Sequence, residues 1–134
     1  MICKQGRVHI LDHIKGVGGM YLMLYLDSVE PDEDTEHADL TPASFPGYSD
    51  SSVTWDTPAL NGDDDAEMNF AAPITFTHAG GGSLQAVYGA ALYGTYGGGN
   101  KLYGWKHFPA PIIMDTAGQT ITIETFRFRQ GAMA

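Results

Sequence analysis

The most informative hydrophobic pattern lies between positions 87 and 108, where a glycine-rich turn separates two apolar and aromatic runs. The runs are Val87–Tyr93 and Lys101–Phe108, and the turn between them reads Gly-Thr-Tyr-Gly-Gly-Gly-Asn. Glycine clusters between such runs are typical of β-hairpins. We therefore predict a central hairpin, within which Gly89 and Gly104 leave space for a ring or for another backbone.

The segments before this hairpin predict one helix and several short strands. Arg7–Lys15 has apolar residues at helical spacing and is followed by a glycine cluster, which predicts a short amphipathic helix. Met20–Leu26 is apolar on both alternating faces, which indicates a strand covered on both sides or lying at a subunit contact. Shorter alternating runs predict strands over Ser49–Trp55, Ala66–Ala71 and Pro73–Thr77.

The segment after the hairpin predicts a crossover and one long strand. Proline cannot donate a backbone hydrogen bond, so Pro109–Pro111 is expected to leave the sheet. Thr120–Gln130 predicts a strand whose apolar positions change phase, and a β-bulge near residues 124–125 would return all of them to the core. The positions on opposite parities are Ile121 and Ile123, then Phe126 and Phe128.

Length and composition favour a single all-β domain. The chain has 134 residues with 17 glycines and 7 prolines, which suits one core built from short strands and many turns. We predict one β-sandwich over residues 1–134, jelly-roll-like or immunoglobulin-like, with a helix and turn at 1–19 and an acidic loop at 27–44. The predicted core residues are Leu22, Leu24, Val53, Ile74, Phe76, Val87, Leu92, Leu102, Ile121, Ile123, Phe126 and Phe128.

Charge and cysteine content exclude several classes of partner and chemistry. A formal net charge of −9 argues against nucleic acid and anionic membranes, because affinity for phosphates depends on lysine and arginine. The single cysteine, Cys3, allows no internal disulfide and is interpreted as an incidental thiol. The first residues lack the pattern of a secretory leader, and no run is long enough to span a membrane, so we expect a product that stays in the cytosol of its producing cell.

An acidic stretch over Asp27–Thr41 predicts an exposed loop, because it carries many carboxylates and few apolar side chains. Two interpretations are open. The loop is a plain solvated connection, or it is a cation site or a docking surface for a basic partner. In the second case we expect a mobile arm that becomes ordered on the partner.

Three patterns that resemble known metal or phosphate sites each lack an essential feature. His9 and His13 are four residues apart, but Ile10 stands where a zinc peptidase has its glutamate. Asp63, Asp65 and Glu67 alternate as calcium ligands do, but the glycine precedes the acids, so an acidic turn is favoured. The glycine triplets at 80–82 and 97–99 have no following Lys-Ser or Lys-Thr. We therefore predict no catalytic residue, metal or cofactor, and no enzymatic activity.

The order of several short motifs resembles a group of small tailed-bacteriophage virion proteins, and the resemblance covers most of the chain. A short N-terminal helix is followed by an acidic segment and a glycine-tyrosine turn. A VYG motif, an LYG motif and a final Gly-x-x-Ile-x-Ile pattern come after them. The residues that match are Val29, Pro31, Leu40, Phe45, Gly47, Tyr48, Trp55, Pro58, Ala59, Phe76, Thr77, Val87, Tyr88, Gly89, Leu92, Leu102, Tyr103, Gly104, Phe108, Pro111, Ile112, Met114, Gly118, Ile121 and Ile123.

The resemblance implies a structural component of a phage head, tail or fibre, located in the virion and assembled in the host cytoplasm. We expect a capsid decoration or cement protein that stabilises the head shell, contacts the major capsid protein or other virion proteins, and forms a homo-oligomer, as a trimer on a head. The alternative is a tail or fibre component that binds host glycans through Tyr96, Tyr103 or Trp105. The expected contact residues are Tyr21, Tyr25, Tyr103, Trp105, Glu30, Asp32, Glu33, Asp34 and Glu36.

Overall fold

The computed structural model of the chain describes residues 3–17, 19–63, 65–95 and 99–130, without the side chains of residues 17 and 128–130. These residues form mostly antiparallel strands and one α-helix, which confirms the all-β class. No helix in the described part is long and apolar enough to cross a membrane. The elements are α1 (Lys4–Val17), β1 (Met20–Tyr25), a 3-10 helix (His37–Asp39), β2 (Ser51–Ser52), β3 (Ala59–Leu60), β4 (Ala66–Met68), β5 (Ile74–Thr77), β6 (Gln85–Gly94), β7 (Lys101–Met114), β8 (Thr120–Ile123) and β9 (Phe128–Gln130).

The chain divides into two compact units made of interleaved segments. The first unit contains residues 1–18, 54–74 and 123–134, and the second contains residues 19–53 and 75–122. The chain thus crosses from one unit to the other several times along its length. The sandwich arrangement and the single domain stay predictions.

The first unit contains α1 and the antiparallel sheet β3-β4-β9. The helix was predicted over residues 7–15 and extends beyond this range at both ends. Arg7 and Leu11 are buried one turn apart, and Ile14 continues the same stripe as a half-buried residue. Below the helix, Ala66 and Met68 of β4 are fully buried. Because Arg7, Leu11 and Ile14 lie on one side of the helix, that side of α1 faces the core of the first unit.

An aromatic group completes the first unit. Trp55 and Phe70 form an isolated antiparallel bridge, and their ring centroids lie 5.3 Å apart. Phe126 stacks on Phe70 at 5.9 Å. Only Ser51–Ser52 of the strand predicted over residues 49–55 is a regular strand, because Trp55 bridges to Phe70 in this unit. The short strand β3 was not predicted.

The second unit contains the four-stranded antiparallel sheet β2-β1-β6-β7. Its centre is β1 paired with β6, in the register Leu22↔Leu92 and Leu24↔Ala90. The predicted hairpin is confirmed, since β6 pairs with β7 across the glycine-rich turn. β1 is buried on both faces, as its apolar pattern predicted.

The prediction that Pro109–Pro111 leaves the sheet is wrong, because β7 continues through both prolines to Met114. The register explains how the prolines are tolerated. Val87 pairs with Ile112 and Gly89 with His107, so residues 108–111 lie opposite Tyr88 alone in an irregular part of the ladder. β7 is also the last strand of its sheet. An edge strand with a bulge is where the missing N–H groups of proline cost least.

The prediction of a single bulged strand over residues 120–130 is also wrong. β8 pairs with β5, whereas β9 pairs with β4 in a different sheet. The change of phase after Ile123 therefore marks a change of sheet. Ile121 and Ile123 are buried and Phe126 is half-buried, while the side chain of Phe128 lies outside the described residues.

Most of the predicted core is confirmed. Apart from the four predicted core residues of segment 120–130, described above, the predicted core residues form a buried group and a half-buried group. Leu22, Leu24, Phe76, Val87 and Leu92 are buried. Half-buried positions are Val53, Ile74 and Leu102.

Candidate functional site

One face of the four-stranded sheet carries a cluster of aromatic residues. In β1 the alternation places Tyr21, Met23 and Tyr25 on this face, and the register sets Tyr21 opposite Tyr93 of β6. The rings of Tyr21 and Tyr93 stack at 5.5 Å. Leu40 of the acidic stretch is buried in the same cluster. We call this side of the sheet the aromatic face.

Tyr25 belongs to the cluster on the aromatic face and is fully buried. Its hydroxyl forms a hydrogen bond of 2.8 Å with Nδ1 of His107, and the two rings stack. Burial, and then the carboxylates of Glu30 and Asp27, raise the pKa of Tyr25 to about 12. The prediction that Tyr25 contacts a partner is therefore wrong for the folded chain, because the ring has no exposed surface.

Tyr103, Trp105 and Tyr21, the other predicted aromatic contact residues, keep some exposure. Tyr103 is 43% exposed. It lies where the register shifts near Tyr93, and its ring occupies the space that a Cβ at Gly94 would need. Trp105 and Tyr21 are half-buried against the aromatic cluster. Of the predicted aromatic contacts, Tyr103 thus offers the largest accessible fraction.

The far end of β7 adds a second exposed apolar stretch. All residues from Pro109 to Ile113 are exposed, with Ile112 at 38% and Ile113 at 40%. Within the described residues β7 pairs on one side only, with β6. Its other edge therefore presents backbone donors and acceptors, interrupted at the two prolines.

The acidic stretch forms a closed loop over residues 27–41. Its ends are joined by hydrogen bonds from the N–H of Leu26 to the carbonyl of Thr41, 2.9 Å, and from the N–H of Thr41 to the carboxylate of Asp27, 2.7 Å. Inside the loop, Asp32 accepts from the N–H of Asp34 at 2.9 Å and from the hydroxyl of Thr35 at 3.2 Å. These bonds give the loop a defined internal structure.

The expectation that this loop buries nothing is wrong, because Pro31 and Leu40 are buried. The predicted carboxylates nevertheless remain accessible. The exposed acids are Glu30, Asp32, Glu33, Asp34 and Glu36. The apolar residues hold the loop against the sheet while the charges face outward.

A cleft of about 400 Å³ lies where the acidic loop meets the start of β7. The ring of His37 contacts Tyr93 at 4.4 Å between centroids, which places it in the cleft wall. The lining residues are Thr35, Glu36, His37, Ala38, Asn100, Lys101 and Leu102. The structure thus brings one predicted acid, Glu36, close to the β7 hairpin, whereas Tyr96 lies outside the described residues.

A half-buried hydrogen-bond centre at Asp50 was not predicted. Its carboxylate accepts from the hydroxyl of Tyr48 at 2.6 Å and from that of Tyr93 at 2.5 Å. The Tyr48 hydroxyl also accepts from the N–H of Leu24 at 2.9 Å. Burial, and then the hydrogen bond to Asp50, raise the pKa of both tyrosines above the ordinary value. An aspartate between serines carries no sequence signal for this role.

The described residues contain no group of three histidine, cysteine or carboxylate side chains that could hold a metal. At the turn with Asp63 and Asp65, Asn61 accepts from the N–H groups of both residues, at 2.8 and 3.1 Å. Its side-chain amide donates to Glu67 at 3.0 Å. This geometry is that of an Asx turn.

The residues on which the predicted resemblance to phage virion proteins rests lie mostly in the second unit. Val87, Leu92 and Met114 are buried in it, and Gly89 lies against the ring of Tyr25. Comparisons of the chain with protein-family models, with curated proteins and with solved structures found no match.

Proposed function

We propose that the chain is a non-enzymatic structural protein of a tailed-bacteriophage virion, and that it decorates the head shell as a cement protein. The observation that carries the proposal is the edge strand β7, which is 14 residues long and exposes Tyr103, Ile112 and Ile113. Exposed strand edges bind other chains by adding a strand, and apolar side chains along such an edge raise the affinity.

The second unit supports this role because the edge is fixed on a well-packed frame. β7 pairs with β6 over most of its length, and β6 pairs with the buried strand β1. A rigid edge loses little conformational entropy when a partner binds. The prolines divide the edge, so an added strand would pair with Lys101–His107 or with Ile112–Met114.

The expected partners are the major capsid protein or other virion proteins, together with further copies of this chain. A trimer is the expected assembly on a head, where three copies meet around a threefold axis. The net charge of −9 favours a basic surface on the partner.

The experiment measures rebinding of the purified protein to particles that lack it. Replacing Ile113 with lysine places a charge on the exposed edge, and we expect occupancy to fall by about tenfold or more because charged residues block strand addition. The matched control is Leu60→Lys, since Leu60 is also 40% exposed but belongs to the first unit. Equal occupancy of both variants and the unmodified protein would refute attachment through β7.

The alternative, a tail or fibre component that binds host glycans, is favoured by one observation. The cleft at the start of β7 combines the imidazole of His37 with the amide of Asn100 and the charges of Glu36 and Lys101. Rings and planar polar groups of this kind bind sugars. Binding of the purified protein to host-surface polysaccharide would favour this function over decoration.

A further inference from the structure

A second cavity in the second unit, of about 420 Å³, lies beside β2. One wall is the segment that leads into β2, and the opposite wall is β5. The lining residues are Gly47, Ser49, Asp50, Ser51, Ser52, Thr75, Phe76 and Thr77. Its size is within the range of pockets that hold small molecules or single side chains. We call it the β2 pocket.

The only charged group in the wall of the β2 pocket is Asp50, which is half-buried. The hydroxyls of Tyr48 and Tyr93 fix its carboxylate in one orientation. These bonds use two of the roughly four acceptor positions of a carboxylate, so acceptor capacity remains. Within the described residues no lysine or arginine pairs with Asp50. A half-buried carboxylate without a cation favours a positively charged ligand.

The remaining wall of the pocket is rich in hydroxyl oxygens from three serines and two threonines. The hydroxyl of Ser51 already donates to the carbonyl of Ser52 at 3.3 Å. Those of Thr75 and Thr122 share a hydrogen bond of 2.9 Å. A hydroxyl whose proton is engaged elsewhere still offers lone pairs to an incoming donor. These oxygens and the carboxylate of Asp50 would suit a cation with several N–H donors.

Among cations, this combination favours a guanidinium group. A guanidinium carries five N–H donors in a planar fork, which can reach a carboxylate and the hydroxyls around it at the same time. An ammonium group has three donors on one atom, so it offers fewer donors, and these are less spread out, than a guanidinium group. A neutral sugar is less well matched, because Phe76 is only 5% exposed and its ring stacks on Tyr48.

We propose that the β2 pocket binds the guanidinium group of an arginine side chain carried by a protein partner. The identity of that partner as a virion protein rests on the proposed function, whereas the chemistry of the pocket does not. The β2 pocket also lies apart from β7 in the sheet order, at the opposite edge. A partner that adds a strand to β7 would therefore need a second, separate contact to place an arginine in the β2 pocket.

The test is an NMR titration of the intact protein with N-acetyl-arginine amide, followed at the backbone amides of Ser51 and Ser52. We expect saturable shifts at these amides, and binding of N-acetyl-lysine amide weaker by about tenfold, since the single ammonium loses the fork geometry. A titration without saturable shifts would overturn the proposal. Equal binding of the lysine probe, or tighter binding of methyl glucoside, would overturn it as well.

Two variants connect the shifts to the pocket. Asp50→Asn removes the charge but keeps an acceptor for one tyrosine, and we expect affinity for the arginine probe to fall about tenfold or more. The matched control is Asp115→Asn, an exposed acid outside the pocket, which should leave the affinity unchanged. If Asp50→Asn does not fold, Thr77→Val removes one lining hydroxyl and should weaken binding. Unchanged affinity in the folded Asp50 or Thr77 variant would overturn the site, and it would leave rebinding through β7 unaffected.

Discussion

At the scale of single residues, the glycines inside the central hairpin show how far sequence reasoning reaches. Both Gly89 and Gly104 were predicted to leave space for a ring or for another backbone. At Gly89 a Cβ would collide with the ring of Tyr25 and the carbonyl of Lys106, which confirms the prediction. At Gly104 no described residue other than its chain neighbours comes within 4 Å of that position, so the described residues do not bear the prediction out there. A glycine in a strand signals an irregularity, but its neighbours are set by the register.

This difference gives a stability prediction with an internal control. Replacing Gly89 with alanine should destabilise the protein by about 1–3 kcal/mol, because the added methyl group overpacks a closed site. Replacing Gly104 with alanine should change the free energy of unfolding by less than about 1 kcal/mol. Urea denaturation of the two variants beside the unmodified protein measures both values. If Gly89→Ala is as stable as Gly104→Ala, the close contact with Tyr25 is not maintained in solution.

The candidate site shows the limit of residue-level prediction more clearly. Tyr103 and the exposed carboxylates could be found, because exposure follows from local polarity and from turn signals. The sequence could not show that Tyr25 is buried while Tyr21 is half-buried, since both residues lie on the same face of one apolar strand. Asp50 could not be found, because its partner Tyr93 is 43 residues away in sequence. Such contacts depend on which strands pair and in which register, and the alternation of apolar residues along one segment does not show this.

At the scale of elements, periodicity predicted which segments form strands better than it predicted their partners. The central hairpin and β1 were predicted because long apolar runs and a glycine turn leave few alternatives. The strand over residues 120–130 was wrong because a change of parity is equally consistent with a bulge and with a change of sheet. The prolines of β7 were misassigned because an edge strand tolerates them, and edge position is a property of the whole sheet.

The acidic loop carries the element-scale prediction. Conversion of Glu30, Glu33 and Glu36 to glutamine and of Asp32 and Asp34 to asparagine should leave the fold intact, because an amide oxygen at position 32 would still accept the turn hydrogen bonds. Occupancy on particles should fall and should lose its dependence on salt, since exposed ion pairs contribute about 0.2–1 kcal/mol each. The measurement is occupancy at low and high ionic strength, with Glu33→Gln alone as a control that changes little. Occupancy and salt dependence equal to those of the unmodified protein would show that the loop is only a connection.

At the scale of the whole molecule, the features that favour assembly are the exposed edge of β7, the accessible acids and the strongly negative charge. The all-β class followed from composition, because glycine and proline are frequent and helical patterns are rare. The division into two interleaved units could not be predicted from composition, because it depends on which distant segments pair. The comparisons with known proteins found no match, so the structural role and the location in a virion both stay proposals.

The most direct test of the virion proposal is the copy number of this protein in purified particles, measured by quantitative mass spectrometry against the major capsid protein. A cement protein covers the shell, so we expect near-equal copies of the two proteins. A copy number that is a small fraction of the shell protein's would favour the tail or fibre alternative over decoration. Absence of the protein from purified particles would contradict a structural role in the virion.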